Sequence, residues 1–297
     1  YILFVILPKK RSLVAFIGAI LLVLSQTLSL KDAFFAINWN VMGIFVGTLA
    51  VADVFMESRV PAYLAELIVD RAKNTCWAIL YICLLTGFIS AFVENVATVL
   101  IVAPIALALA RKLKINPTNM MFAIAISSNL QGTATLIGDP PSMLLGGFAR
   151  MTFWDFFFYK GRPSIFFAVE LGALVSFLVL YFTFRKEKEK VKLVPVEKVR
   201  SWVPTLLLVG LVILLALSSF FDSGFSYMAG IICMAFGIVS LFWAKVFHKA
   251  EIIKSIKNLD WDTTLFLAGI FIIVGSISST GWIKTIADSL SGVVGDN

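Results

Sequence analysis

Long apolar runs alternate with short polar stretches through most of the chain. Runs of bilayer length cover residues 12–30, 41–56, 118–148, 164–184, 203–221, 227–244 and 263–280. Each predicts a helix, because about 20 apolar residues cross a hydrocarbon core. A further apolar stretch, 76–110, is broken at its centre by Glu94-Asn95. Split in two, it offers crossings of about 17 residues, the lower limit of useful length. A re-entrant hairpin that dips in and returns to one face suits it better. Irregular backbone at that depth is tolerated where protein buries it or where it lines a cavity.

The basic residues support this reading. Lys and Arg flank both ends of 76–110: Arg71 and Lys73 before it, Arg111, Lys112 and Lys114 after it. With Lys9-Lys10-Arg11 set inside and the hairpin not crossing, 20 of the 25 Lys and Arg residues fall on the cytoplasmic side. That is the bias of a multi-pass protein of the inner, or plasma, membrane. The loop 185–202 is then cytoplasmic. Residues 57–73 mix charges with Val60, Leu64, Leu67 and Ile68, the spacing of an interfacial amphipathic helix.

Composition agrees. The chain is 60% hydrophobic and 14% charged, against about 25% charged in soluble domains. The fold class expected is an all-α, polytopic integral membrane protein, partnered by the lipid bilayer. A net charge of +7 is carried by loops beside apolar runs. It forms no basic face with interleaved aromatics, so nucleic acid is not an expected partner. His248 is the only histidine, which excludes a multi-His metal site. Cys76, Cys83 and Cys233 lie in or beside apolar runs and read as small core residues. No enzyme site and no bound cofactor are expected.

Two polar islands carry the chemistry. The first is Ser90-Ala-Phe-Val-Glu-Asn-Val-Ala-Thr98 at the centre of the hairpin. Ser90, Asn95, Thr98 and backbone carbonyls can replace the hydration shell of a small hard cation. Glu94 can neutralise that cation or carry a proton instead. The competing reading is a buried Glu that only holds the hairpin together. The second island, Ser127 to Ser142, interrupts the run 118–148. Gly132 and Gly138 allow unusual backbone, and Pro140 and Pro141 stop a helix. Ser128 and Asn129 join the expected cation or proton site. Gly132, Thr133, Thr135, Gly138 and Asp139 are the expected substrate contacts. Na⁺ is assigned to Glu94, Asn95 and Gly132. Glu170, inside 164–184, is a candidate for proton handling or for a packed pair.

An internal repeat is also expected. Trp39-Asn and Gly47 recur as Trp261-Asp and Gly269, 222 residues apart. The first copy runs outside to inside and the second inside to outside, the arrangement of inverted-repeat transporters. The same shift sends Glu94 past position 297, so the second repeat is expected to be truncated here. The organisation expected is an N-terminal scaffold helix in 1–35 and a first repeat in 36–150. That repeat holds the interfacial helix, hairpin 76–110 and broken helix 118–148. Connecting scaffold helices follow in 151–257, and a second repeat starts in 258–297.

These islands resemble the arsenite-permease and sodium–proton antiporter family of the ion-transporter superfamily, with its citrate-transporter-like domain. The likeness is to the branch that includes the melanosomal P protein, whose first island usually reads Ser-Ala-Phe-Leu-Asp-Asn-Val-Thr-Thr. Glu94 stands where Asp is usual, and Ala97 where Thr is usual. Gly132-Thr-Ala-Thr-Leu-Ile-Gly-Asp-Pro-Pro141 is the most specific match. Gln131 replaces a usual Gly, and Ser142 a usual Asn. In the related sodium–dicarboxylate symporters Ser-Asn-Thr occupies the place of Glu94-Asn95-Val96. The resemblance implies a homodimer with a scaffold part and a transport part. Two hairpins and two broken helices would hold substrate between hairpin tips near mid-membrane, and the transport part would move as an elevator. The expected function is a secondary transporter coupling Na⁺ or H⁺, as symporter or antiporter, to movement of a small inorganic or carboxylate anion. A Na⁺/H⁺ antiporter is the first alternative. An intramembrane aspartyl protease needs a second aspartate beside Gly138-Asp139, and none is well placed. A channel would not need the inverted repeat.

Overall fold

The computed structural model describes residues 2–7, 10–113, 116–189, 197–248, 251–283, 285, 288 and 289. Lys9, Lys114, Lys190, Lys192, Lys249, Lys284, the 190–196 part of loop 185–202 and residues 290–297 lie outside the described residues. The helices are α1 (Ile2–Ile6), α2 (Arg11–Leu24), α3 (Leu30–Ala36), α4 (Trp39–Glu57), α5 (Val60–Asp70), α6 (Thr75–Ser90) and α7 (Asn95–Leu113). They continue with α8 (Pro117–Gly132), α9 (Pro140–Ala149), α10 (Ile165–Phe184), α11 (Val203–Phe221), α12 (Met228–His248), α13 (Ile252–Asn258) and α14 (Trp261–Ser279). One small hairpin pairs β1 (Phe158–Tyr159) with β2 (Arg162–Pro163). Its turn, Lys160-Gly161, has both φ angles positive (50° and 75°), as a two-residue primed turn requires.

Among the described residues, α4, α10, α11, α12 and α14 are long and apolar enough to cross a bilayer. The chain is therefore an all-α polytopic membrane protein. Helix α10 buries Phe184 yet leaves Leu171, Leu174, Leu178 and Phe182 exposed. Such a surface is stable against lipid and not against water. At one end of α10 an aromatic ledge gathers: Phe157 lies 4.5 Å from Phe166, and Trp154 lies 6.1 Å from Phe220, ring centre to ring centre. Aromatics of this kind anchor a protein at the headgroup level.

The expected run 12–30 does not form one helix. Helix α2 stops at Leu24, Gln26 takes φ 57°, and Ser29 caps α3 by accepting the Asp32 N–H at 3.0 Å. The polar segment Ser25-Gln-Thr-Leu-Ser29 competes for backbone hydrogen bonds there and ends the helix.

The chain forms two compact units. The first takes residues up to Met42 together with those from Asp260 onward. In it α2 packs on α14: a Cβ on Gly269 would stand 2.7 Å from the Ala15 Cβ, and the Ser12 hydroxyl donates to the Asp262 carboxylate. The second unit is Gly43–Leu259. There α4 and α12 cross at glycines. A Cβ on Gly43 would lie 3.1 Å from the Gly230 Cα, and one on Gly237 would lie 3.0 Å from the Gly47 carbonyl oxygen. Small residues let helix backbones approach this closely where lipid supplies no hydrophobic drive.

The recurrence at Trp39 and Trp261 extends to the helix boundaries. Shifted by 222 positions, α3 and α4 land on α13 and α14 residue for residue, and α2 falls inside α12. Gly47 maps to Gly269 and Ala15 maps to Gly237. The seam of the second unit, Gly47 on Gly237, thus reappears in the first as Gly269 on Ala15.

Helices α6 and α7 fold back on each other. The start of α6 (Cys76, Ile79) clusters with the end of α7 (Leu109, Ala110), the start of α8 (Met120) and the foot of α10 (Phe184). The Thr75 and Cys76 N–H groups donate to the Glu189 and Glu187 carbonyls at 2.9 and 3.0 Å. Both ends of the hairpin therefore lie together. Its tip, Ile89 and Val93, packs with Ala52, Phe55 and Met56 of α4.

Gly47→Leu would drive a side chain into the Cys233–Met234 backbone. It is expected to cost at least about 1–3 kcal/mol, read as a lower melting temperature in detergent. Gly172→Ala, whose Cβ would sit 3.7 Å from Leu130, is expected to stay near wild type. Asp222, after α11, accepts the Ser226, Tyr227 and Met228 N–H groups at 2.9–3.0 Å. Partial burial pushes its carboxyl up, but these donors outweigh burial and hold it below the usual 3.8. A depressed folded-state pKa gives stability that is present above the unfolded value and lost as pH falls through the folded one. The melting-temperature gap between wild type and Asp222→Ala is expected to be constant above pH 3.8 and to shrink below it.

Candidate functional site

Helix α6 ends at Ser90 and α7 starts at Asn95, so residues 91–94 form an open tip. Glu94 stands just before α7, and its carboxylate accepts the Ala97 N–H at 2.9 Å. The second interruption is built the same way. Helix α8 ends at Gly132, and α9 begins with Pro140-Pro141, neither of which has an N–H to satisfy. Asp139 caps α9 by accepting the Ser142 N–H at 2.9 Å. Both island carboxylates thus hold helix N-termini, where negative charge is stabilised.

The tip and the break meet. The Ser90 hydroxyl donates to Asn95 Oδ1 at 2.5 Å and lies 2.9 Å from the Ser128 hydroxyl. Ser128 also donates to the Asn95 carbonyl at 3.2 Å. Asn95 Nδ2 donates to Asn129 Oδ1 at 3.3 Å. The Asn95 amide presses on Gly132, where an added Cβ would come within 2.7 Å of its Cγ. Gly138 sits among carbonyl oxygens: a Cβ there would lie 2.9 Å from Ser90 O and 3.0 Å from Ala91 O, and would also strike Gly132 O. The Thr135 hydroxyl donates to the Ala91 carbonyl. Glycine at 132 and 138 is thus fixed by close approach; neither position has a positive φ.

Glu94 and Asp139 line one small void with Phe45, Thr48 and Leu49 of α4. Its volume is about 10 Å³, roughly the room of one water-sized sphere. Asp139 is 5% exposed. Thr48 spends its proton on the Ile44 carbonyl at 2.8 Å, leaving its lone pairs available. Sequence reading did not single out Thr48. Its signal was a hydroxyl in mid-span, one that only packing ties to the islands.

The remaining candidates divide. Thr98 donates to the Glu94 carbonyl at 3.1 Å and Thr133 to the Leu130 carbonyl at 2.8 Å, both serving local backbone. Ser142, in place of the usual amide, reaches the Thr133 carbonyl at 3.4 Å. Glu170 lines a separate groove with Ser127 and Gln131 and is not brought to the tip.

Bilayer-length helices, and two interrupted ones that meet within Gly43–Leu259, suit a polytopic membrane transporter. Residues 1–296 match the family model described as citrate transporter, and the chain belongs to that family, within the ion-transporter superfamily. It is 28% identical over 295 residues to an uncharacterized transporter of Mycobacterium bovis, covering 97% of this chain and 68% of the relative. A Synechocystis transporter is 25% identical over 293 residues, covering 96% and 65%. The mouse P protein is 27% identical over 194 residues, covering 63% of this chain and 23% of its own length.

The capping role and a charge role separate by experiment. Asp139→Asn and Glu94→Gln keep an acceptor and are expected to melt near wild type in detergent. Asp139→Ala is expected to lose about 1 kcal/mol of stability.

Proposed function

We propose that the protein is a secondary active transporter. It couples a Na⁺ or H⁺ gradient to movement of a small anion, with a carboxylate such as citrate as the leading class. The observation that supports this is the meeting of two interrupted helices, Asn95 of one against Gly132 of the other. Ser90, Asn95, Ser128, Asn129 and the carbonyls at Ser90, Ala91 and Gly132 offer the neutral oxygens a hard cation takes. Gly132, Thr133, Thr135, Gly138 and Asp139 would face substrate, with Glu94 supplying charge. Thr98 would hold the tip that carries Glu94. Glu170 is left as a proton-handling candidate outside this cluster. The repeats would be inverted, the hairpin re-entrant from the cytoplasmic side, and the assembly a homodimer whose transport part moves as an elevator. The family's description as citrate transporters favours a carboxylate over arsenite.

A second reading has its own support. An exchanger of Na⁺ for H⁺ needs a titrating carboxylate, and Glu94 and Asp139 line one void. The test uses the full-length protein in proteoliposomes with an imposed Na⁺ or pH gradient, radiolabelled citrate outside and a pH dye inside. Gradient-driven citrate uptake that falls at least tenfold in Glu94→Gln and Asn95→Ala is the expected result. Dye-reported exchange without citrate uptake would select the antiporter. Undiminished uptake in the double variant would remove both residues from the mechanism.

A further inference from the structure

A groove of about 560 Å³ opens between α6, α8 and α10, within the usual range of small-molecule pockets, about 300–1,000 Å³. Its walls are Leu84 and Phe88 of α6 and Leu174 and Phe177 of α10. Among the described residues lining it, Glu170 is the one charged side chain, joined by the neutral Ser127, Gln131 and Ser176. Leu84, Phe88 and Leu174 are 60%, 66% and 58% exposed, so the mouth of the groove is apolar, as a ligand drawn from a bilayer requires. One carboxylate set in apolar walls at membrane depth fits a ligand with one positive charge and a greasy body.

We propose that this groove is a binding site for an amphiphilic monocation that arrives from the bilayer. The cationic head pairs with Glu170 and makes ion–dipole contact with the side-chain oxygens of Gln131 and Ser127. The tail lies along Leu84, Phe88, Leu174 and Phe177. Among the described lining residues an anion finds no cationic partner, and a plain acyl chain leaves the carboxylate uncompensated. The site also abuts the transport machinery. A Cβ on Gly87 would meet the Gln131 stem at 2.9 Å, and Gln131 leads directly into Gly132. An occupant is therefore positioned to hold α6 and α8 in their present packing.

The experiment uses the full-length protein in nanodiscs of uncharged lipid, with decyltrimethylammonium as the probe and titration calorimetry as the readout. Empty nanodiscs give the partitioning background. Saturable binding of one probe per protein chain is expected, weakened at least tenfold by Glu170→Gln. Leu174→Trp fills an exposed wall and is expected to abolish binding at an unchanged melting temperature. It stands as the test if Glu170→Gln does not fold. Decanol, of the same length without the charge, is expected to bind wild type more weakly than the cation does and to lose no affinity in Glu170→Gln. Uptake that never exceeds empty nanodiscs would overturn the proposal. So would binding indifferent to both substitutions, or decanol losing as much affinity as the cation.

Discussion

A backbone polar group shielded from water must find a partner within the protein, and the apolar helices here are interrupted twice, after Ser90 and after Gly132. The tip at residues 91–94 and the break after Gly132 meet this need for each other. Carbonyls freed at Ser90, Ala91 and Gly132 face Gly138, and the Thr135 hydroxyl donates to one of them. Ser90, Ser128 and Asn95 join the two elements by hydrogen bonds that neither makes alone. Removing one partner leaves a buried polar group unpaired, which costs about 1–3 kcal/mol. The site and the stability of its surroundings are therefore one problem, and the polar residues serve both.

The same economy appears at the carboxylates. Glu94 and Asp139 each spend an oxygen on a helix N-terminus. Such a cap makes a buried negative charge tolerable without a fixed counter-charge. A water-sized void lies beside both acids. Thr48 shows that α4 closes the void from outside the islands.

Within each unit the fold relies on close backbone contact instead of hydrophobic drive. Helices α4 and α12 cross at Gly43, Gly47, Gly230 and Gly237, and α14 meets α2 at Gly269 and Ala15. The two seams are related by the 222-residue shift that also relates the helix boundaries. Trp39 and Trp261 each head a helix with a Gly at the same offset. In contrast, α10 buries little and presents apolar side chains outward, which is the behaviour of a helix whose solvent is lipid.

The apolar runs alone were enough to place α4, α10, α11, α12 and α14, because bilayer thickness sets their length and nothing polar competes within them. They also marked both interruptions, since Glu94-Asn95 and the Gly132–Pro141 segment conflict with an apolar helix wherever they are folded. The run 12–30 misled, because Ser25 to Ser29 looks tolerable in a hydropathy pattern while its side chains and Gln26 backbone end α2. The short β1–β2 hairpin was invisible to a reading built on long runs. What only the tertiary structure decided is which polar groups meet. Asn95 against Gly132, Gly138 among three carbonyls, Thr48 beside Glu94 and Asp139, and Glu170 apart in its own groove all depend on contacts between distant segments. Periodicity reports the environment a residue needs, bilayer or water. It carries no information on which partner supplies that environment, and that is settled only when the helices pack.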